Sequence, residues 1–455
     1  MDDDKSDRKP VGPSGELAVP SGRLSRFLHL GRAAGSMMAS GALEKMRRIP
    51  GGTEEALPHV LLTRQSAKAL AERLSRLRGA AMKVGQMLSL EGDNLLPKEF
   101  AEALEVLRSS AHRMPDQQVR QMLRAEYGED YLFRFRDLEL EPMAAASIGQ
   151  VHRAVTHQGE RIVLKIQYPG VRESIDSDVD NLRSLVGLAR LVPKGVDIEV
   201  FVEALKAELR REVDYERELE QLGAYRKKVE GDPRILVPRP YPEHTTSRIL
   251  ALEEMRAEPL LTWAQGKSQQ ERNAMGTLLF ELLLSELFRF GLSQTDPNPA
   301  NYQVEPETGR LVLLDFGATR GVEPGVSLLY REAFLGIMDR DQLRLEEVVR
   351  RLGVDNPEYP EATRLIVSLA LEAAEAFDDE VYDFGATDLQ RRLNERAPAM
   401  KEFQGKLGAP PPEYVFFQRK LTGTFLLCRN LGARVPCRTL VERALLDRGF
   451  SSDEN

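Results

Sequence analysis

Apolar residues recur at helical spacing through the first third of the chain. One stripe, at alternating intervals of four and three, is formed by Leu70, Leu74, Leu77, Ala81, Val84 and Leu88. This is the period of one face of an amphipathic α-helix, and it predicts an almost wholly helical segment over residues 23–140. Residues 1–22 are acidic and then rich in Pro, Gly and Ser, which predicts a disordered tail.

The pattern changes to short β-like runs after residue 140. Residues 147–155 and 161–168 are β-like, and the turn-prone THQGE separates them, so we expect a β-hairpin. Helical stretches are predicted at 174–191 and 197–228, and a further β-like patch at 247–255. The remainder is mostly helical in pattern, so the chain is predicted to be an α+β protein.

Composition and charge narrow the function classes. The 455 residues are 42% hydrophobic and 29% charged, an ordinary globular mixture, and the net charge of −8 gives no basic field for nucleic acid. Cys428 and Cys437 are the only cysteines, which excludes a disulfide framework and favours a reducing compartment. The apolar run 276–292 contains Glu281, Glu286 and Arg289, as expected of a buried globular helix rather than a membrane span. With no secretory signal, we expect a cytoplasmic location.

The stretch AAASIGQV, residues 144–151, resembles a kinase phosphate-binding loop with its first two glycines replaced. Gly149 and Val151 keep the pattern, whereas Ala144 and Ala146 stand at the glycine positions. Such an alanine-rich stretch alone is also typical of a tight packing contact. Lys165 follows in the apolar run VLKIQ, where kinases place the lysine that binds nucleotide phosphates, although a strand lysine can also simply extend to solvent.

Two further motifs follow in kinase order. In TDPNPAN, Asp296 precedes Asn301 by five positions, the spacing of a kinase catalytic loop in which the aspartate orients the nucleophile and the asparagine binds magnesium. In LLDFGA, Asp315 ends an apolar run where a kinase has its second magnesium ligand. The acidic segment 212–218 lies between these motifs and the lysine, and Asp214 and Glu218, four residues apart, are predicted to share a helical face. The combined order predicts a bilobal protein-kinase-like fold that binds ATP and Mg²⁺.

Several stretches together resemble the UbiB family of atypical kinase-like proteins, also called the AarF family. They are KVGQ at 83–86, AAAS at 144–147, YPGVRESIDSDVDNL from Tyr168, EVDYERE from Glu212, TDPNPAN and LLDFGA. The C-terminal RKLTGTFLLCRNLGARVPCR resembles the coenzyme Q assembly branch of that family. The resemblance covers roughly residues 66–440, and departs from ordinary kinases at Gln294 and Thr295, which replace the usual His-Arg pair.

The resemblance implies an ATP- and magnesium-dependent ATPase that supports prenylquinone biosynthesis at a membrane. It implies that Lys83 and Gln86 point into the cleft and that a carboxylate among Glu212, Asp214 and Glu218 contacts Lys83 or Lys165. It also assigns the nucleotide-binding positions, which are Ala144, Ala145, Ala146, Ser147, Gly149, Val151, Lys165 and the hinge-like Glu254 and Met255. Asp296 and Lys165 are then the catalytic residues, and Asn301 and Asp315 the metal ligands.

The predicted domains are a helical extension (23–140), a small β-rich N-lobe (141–256), a helical C-lobe (257–445) and a tail (446–455). Two other functions remain open, a kinase with a true protein or small-molecule acceptor and a scaffold switched by nucleotide. Residues 23–50 carry six Lys or Arg against one Glu, a pattern suited to acidic lipids and to peripheral binding at the inner face of a membrane. Prenylquinone-biosynthesis enzymes are further expected partners, and the oligomeric state is left open.

Overall fold

The computed structural model describes residues 113–188, 198–403, 405–408 and 410–446. Predictions for residues 1–112 lie outside this range. They concern the disordered tail, most of the helical extension, Lys83 and Gln86, and the basic lipid-binding segment. The predicted C-terminal tail also lies outside it, apart from Leu446, which is the last residue of a helix.

Helices and strands of the described residues are named in chain order. The helices are α1 (Asp116–Tyr127), α2 (Val171–Leu188), α3 (Ile198–Glu212), α4 (Tyr215–Val229), α5 (Leu260–Ala264), α6 (Gln269–Ser285), α7 (Pro324–Met338), α8 (Gln342–Arg351), α9 (Pro360–Glu372), α10 (Leu389–Met400), α11 (Pro412–Leu431) and α12 (Cys437–Leu446). The strands are β1 (Asp137–Ala145), β2 (Gly149–Val155), β3 (Arg161–Gln167), β4 (Ile235–Leu236), β5 (Ile249–Glu253), β6 (Glu258–Pro259), β7 (Leu292–Gln294), β8 (Tyr302–Val304), β9 (Leu311–Leu313), β10 (Thr319–Gly321), β11 (Tyr382–Asp383) and β12 (Arg434–Val435). A π-helical turn, Glu286–Phe290, continues α6.

The first compact unit comprises the described residues up to 188, 198–215 and 241–254. Its sheet has the antiparallel order β1-β2-β3-β5, and the hairpin β2–β3 is the one that the sequence predicts. In β3 the sequence RIVLKIQ alternates, so that Ile162, Leu164 and Ile166 are fully buried on one face. Lys165 consequently lies on the opposite face of the sheet.

The second compact unit comprises residues 216–240 and the described residues from 255 onward. A small sheet of order β4-β9-β8-β6 and the pair β7–β10 accompany its helices. Helix α6 begins at a capping box, in which Ser268 and Glu271 each accept from the other's backbone N–H. From Met275 to Leu284 it is mostly buried, as the apolar run predicts, and it packs against α11 and α12. Among the described residues, no helix is long and apolar enough to cross a membrane.

Some predicted element boundaries are wrong. Strand β1 begins at Asp137, inside the segment predicted to be helical, because DLELEP already alternates between exposed and half-buried positions. The single helix predicted over 197–228 is two helices, α3 and α4, which are interrupted at Val213 and Asp214. Asp is favoured immediately before a helix, so Asp214 fits this break and does not share a helical face with Glu218.

Strands β2 and β3 lie so close together at Gly149 that there is no room for a side chain. A Cβ built at this position would lie 2.2 Å from the backbone oxygen of Ile166 on β3. We therefore expect Gly149→Ala to lower the free energy of unfolding by about 3 kcal/mol, measured by urea denaturation. The control is Gly223→Ala on α4, where a Cβ meets nothing within 4 Å and helix propensity should be gained. Equal stability of the two variants would contradict this role.

Candidate active site

Lys165 lies in the middle of β3 and is half-buried. It pairs with Val151 on β2, which in turn pairs with Ala144 on β1. Because directly paired residues of antiparallel strands project from the same face, Ala144, Val151 and Lys165 form a row across one face. The Lys165 ammonium lies 5.2 Å from the centroid of the Tyr215 ring, within the range of a cation–π interaction.

The alanine-rich stretch is the tip of the β1–β2 hairpin. Ala144 and Ala145 pair with Val151 and Gln150, and the Ala146 N–H donates to the backbone oxygen of Gly149 at 2.8 Å. The chain turns at Ser147 and Ile148. The three alanines are thus held by strand pairing in a hairpin tip, which is the kind of element that covers phosphates in kinases.

Two side chains tie the acidic segment to this sheet. The hydroxyl of Ser147 donates to the Glu212 carboxylate, and the buried amide of Gln167, at the end of β3, donates to the backbone oxygen of Val213 at 2.8 Å. Asp214 follows, between α3 and α4. The predicted residues Ser147, Glu212 and Asp214 therefore belong to one connected part of the first unit.

Glu254 directly follows β5, and its carboxylate binds two arginines. Arg153 and Arg161 donate to it from Nε at 2.8 and 2.7 Å. Burial raises the pKa of Glu254, but the hydrogen bonds from Arg161 and Arg153 outweigh it, and the net pKa is lowered. The side chain thus anchors β2 and β3, and the predicted nucleotide contact of Glu254 stays a prediction. Met255, the next residue, is half-buried in the second unit.

Asp296 and Asn301 contact each other in the second unit. The Asn301 amide nitrogen donates to Oδ2 of Asp296 at 3.2 Å, and Asp296 is 8% exposed. Pro297 stiffens the loop by fixing its φ angle. A 3₁₀ turn follows at Pro299–Asn301, in which the Ala300 N–H donates to the side-chain oxygen of Asn298. This conformation points the aspartate and the asparagine of the motif toward one another.

Strand pairing brings Asp315 to the same place. Asn301 precedes β8 and Asp315 follows β9, and these strands pair antiparallel with Tyr302 opposite Leu313. The Leu314 N–H extends the ladder by donating to the backbone oxygen of Asn301 at 3.2 Å. The Asp315 carboxylate accepts the N–H of Gly317 at 3.1 Å, which orients it.

Gln294 joins the two motifs and was not predicted as a site residue. Its amide nitrogen donates to the backbone oxygens of Asp296 and Asp315, at 2.9 and 3.2 Å. Two carbonyls require a donor, so the amide orientation is set by its partners. The sequence signal was present, since Gln294 stands where most kinases have the first residue of His-Arg-Asp.

Helix α4 supports the segment that follows Asp315. Arg217 donates to the backbone oxygens of Gly317 and Thr319 at 2.9 and 2.6 Å. Glu218 is buried, and a Cβ placed on Gly317 would lie 3.4 Å from its Oε2 and 3.5 Å from Oδ1 of Asp315. The structure thus places Glu218 beside Asp315, whereas its predicted contact with a lysine stays a prediction.

The side-chain oxygens of Asn301 and Asp315 are of the kind that magnesium binds. Because its nitrogen donates to Asp296, the amide of Asn301 offers its oxygen to a cation. In the described part of the chain, no group of three or more His, Cys, Asp or Glu forms a cluster that could hold a metal ion. Mg²⁺ usually binds through few protein oxygens and takes its other ligands from water and phosphate, so the sparse set of Asn301 and Asp315 fits it.

Comparison with known proteins identifies the family. The ABC1 atypical kinase-like domain matches residues 106–349, more than half of the chain. The chain belongs to the ABC1 family of atypical kinase-like proteins. The predicted UbiB/AarF resemblance is therefore confirmed, together with the kinase-like fold.

Relatives extend the ABC1 match over nearly the whole chain. The mitochondrial atypical kinase COQ8 of Saccharomyces cerevisiae is 33% identical over 93% of this chain and 85% of its own length. The mitochondrial atypical kinase COQ8B of Rattus norvegicus is 36% identical over 94% and 81%. Among solved structures, Rv3197 of Mycobacterium tuberculosis in complex with erythromycin has a TM-score of 0.58 at 26% identity, covering 86% of this chain and 98% of its own.

The two arginine bonds to Glu254 predict a pH-dependent contribution to stability. Because its folded-state pKa is lowered, the contribution is present above the unfolded-state pKa and is lost as the pH falls through the folded-state value. We expect Glu254→Gln to lower Tm by roughly 2 °C at about pH 7 and by clearly less at about pH 3, measured by calorimetry.

The control for this variant is Glu129→Gln, which removes an exposed ion pair with Arg124 and should leave Tm unchanged at both pH values. A Tm difference for Glu254→Gln that is as large at about pH 3 as at about pH 7 would contradict the assignment.

Proposed function

We propose that the protein is an atypical kinase-like ATPase that requires ATP and Mg²⁺ and supports prenylquinone (ubiquinone) biosynthesis. The observation that carries the proposal is the joining of Asp296, Asn301 and Asp315 by Gln294 and the β8–β9 pairing. The kinase order of these motifs and their family membership support it. The pathway is supported by the similarity to the COQ8 proteins and by the coenzyme Q branch resemblance.

Each predicted residue has a defined task in this proposal. The ammonium of Lys165 binds the α and β phosphates as a point charge, and the hairpin tip at Ala144, Ala145 and Ala146 covers them. Asn301 and Asp315 hold Mg²⁺, which supplies charge neutralisation to the phosphate oxygens. Asp296, nearly buried and held by Asn301, orients the attacking hydroxyl or water as a hydrogen-bond acceptor.

The molecule that accepts the phosphoryl group distinguishes an ATPase from the two alternative functions. An ATPase releases phosphate to water, a kinase transfers it to a protein or small molecule, and a nucleotide-switched scaffold does neither. Measuring free phosphate, ADP and labelled acceptors in one reaction separates the three. Acidic membrane lipids and prenylquinone-biosynthesis enzymes are partners within this proposal.

Replacing Asp315 with Asn tests the magnesium requirement. The asparagine oxygen can still accept the Gly317 N–H, and Gln294 contacts only the backbone of residue 315, so the fold should be kept. With one ligand charge lost, we expect ATP affinity in Mg²⁺ to fall at least tenfold, about 1.4 kcal/mol or more. Titration calorimetry with and without Mg²⁺ measures the effect.

The matched control is Asp378→Asn, which removes an exposed carboxylate paired with Arg340 and should bind Mg-ATP as the wild type does. Unchanged magnesium-dependent affinity in Asp315→Asn would count against both the metal assignment and the proposed function.

Restoring glycine in the hairpin tip tests whether it covers nucleotide. Ala146→Gly keeps the backbone N–H that bonds to Gly149 and removes a Cβ that limits approach to phosphate. We expect nucleotide to bind more tightly by a factor of a few, on the order of 1 kcal/mol, although glycine also loosens the loop by about 0.5–1 kcal/mol. ATP and ADP dissociation constants and Tm should be measured together.

The comparison variant is Ala125→Gly, at an exposed position on α1, which should lose helix stability and keep its nucleotide affinity. If Ala146→Gly behaves in the same way, the alanines are purely structural and the loop assignment is wrong.

A further inference from the structure

A buried ion pair lies among the elements that carry the TDPNPAN segment, residues 295–301, which is called the catalytic loop. The Lys420 ammonium, on α11, lies 3.0 Å from Oε2 of Glu286, which opens the π-helical turn, and the two side chains are 3% and 0% exposed. Removing two charges from water costs several kcal/mol for each ion, and such pairs are often no more stabilising than apolar replacements. Stability alone therefore does not account for this pair.

Each end of the pair is hydrogen-bonded to further buried groups. Glu286 accepts from the hydroxyls of Tyr225 and Ser293, and Lys420 donates to the Tyr302 hydroxyl at 3.0 Å. Burial favours the neutral amine, but the Glu286 carboxylate outweighs it and raises the pKa of Lys420. The Lys420 ammonium therefore stays protonated at neutral pH, as a fixed support rather than a pH switch.

Gln294 connects this cluster to the catalytic residues. Its amide oxygen accepts from the Tyr302 hydroxyl at 3.3 Å and from Lys420 at 3.5 Å. Its amide nitrogen donates to the backbone oxygens of Asp296 and Asp315. All four hydrogen-bonding positions of the side chain are thus occupied. Because the amide group is planar, the bonds that its oxygen accepts from Tyr302 and Lys420 also fix the direction of the two bonds that its nitrogen donates.

The same face of α11 makes two more contacts, one with β10, which pairs with β7 just before the loop, and one with the loop itself. Phe416, Lys420 and Gly423 are four and three residues apart, so they lie on one helical face. The guanidinium of Arg320, on β10, lies 3.4 Å from the ring centroid of Phe416. A Cβ added to Gly423 would lie 1.9 Å from Cβ of Pro297, the residue that directly follows Asp296.

We propose that α11 is a positioning element for the catalytic loop, with Lys420 and Gly423 as its positioning residues. The inference rests on the proposed function for its link to catalysis. Lys420 fixes the Gln294 amide, and Gly423 allows Pro297 to approach the helix axis, so together they set where the Asp296 carboxylate lies. Neither residue is proposed to touch nucleotide.

The experiment compares Gly423→Ala with Gly276→Ala in the full-length protein. Gly276→Ala is the control, because it also adds a methyl group at a buried helix contact of the second unit. Its new Cβ would lie 2.4 Å from Cβ of Ala433, which is not part of the catalytic loop. Both variants should lose stability. Three quantities are measured: Tm, the turnover number and KM for Mg-ATP hydrolysis below Tm, and backbone hydrogen exchange in residues 292–302.

We expect Gly423→Ala to lower kcat roughly 10- to 100-fold, as a misplacement of about 1 Å can do, with KM for ATP nearly unchanged and faster exchange in residues 292–302. Gly276→Ala should keep both kcat and exchange in that segment. Wild-type kcat and exchange in Gly423→Ala, or equal effects in the two variants, would overturn the inference.

A second variant keeps the test decisive if Gly423→Ala does not fold. Lys420→Met combined with Glu286→Gln removes both charges at similar volume, which avoids an unpaired buried ion, and should show the same kcat loss and faster exchange. If it keeps wild-type values of both, the inference is overturned. A wild-type protein without ATP hydrolysis would refute the proposed function, and the exchange result would still decide the positioning role.

Discussion

The candidate site depends on the two hydrogen bonds that the side-chain amide of Gln294 donates. An amide nitrogen has two hydrogens, and both are donated to backbone carbonyls, one at Asp296 and one at Asp315. These bonds hold two separate segments of the chain at a fixed separation. The pairing of β8 with β9 adds a second constraint, because it places Asn301 and Asp315 at the same end of one hairpin. The geometry of the candidate site is thereby set by strand pairing together with one buried amide whose hydrogen-bonding positions are all occupied.

The first unit uses a comparable arrangement of paired backbone. Its row of Ala144, Val151 and Lys165 follows from strand register alone, and the alanines lie in a hairpin tip instead of a flexible glycine loop. Ser147 and Gln167 then fix the segment around Glu212 and Val213 to this sheet. In the proposed function this paired hairpin would limit the approach of phosphate, which suits a slow ATPase better than a general protein kinase.

Sequence analysis predicted the features that depend on local spacing. The Asp296–Asn301 interval, the β2–β3 hairpin and the family follow from short motifs and periodicity. The break at Val213 and Asp214 was missed because the helical period continues across it. The Lys420–Glu286 pair was missed for a different reason, since its members are 134 positions apart and no local pattern relates them. The sequence pattern marks Glu286 only as a charge within an apolar run.

Asn301 and Asp315 are proposed to hold the metal of a bound nucleotide. The most direct measurement is a crystal structure of the full-length protein with ADP and Mn²⁺, in which anomalous scattering locates the metal. The account predicts a peak at about 2.1 Å from the amide oxygen of Asn301 and from a carboxylate oxygen of Asp315, with the nucleotide phosphates on the same ion. A bound nucleotide whose metal contacts neither residue would contradict it.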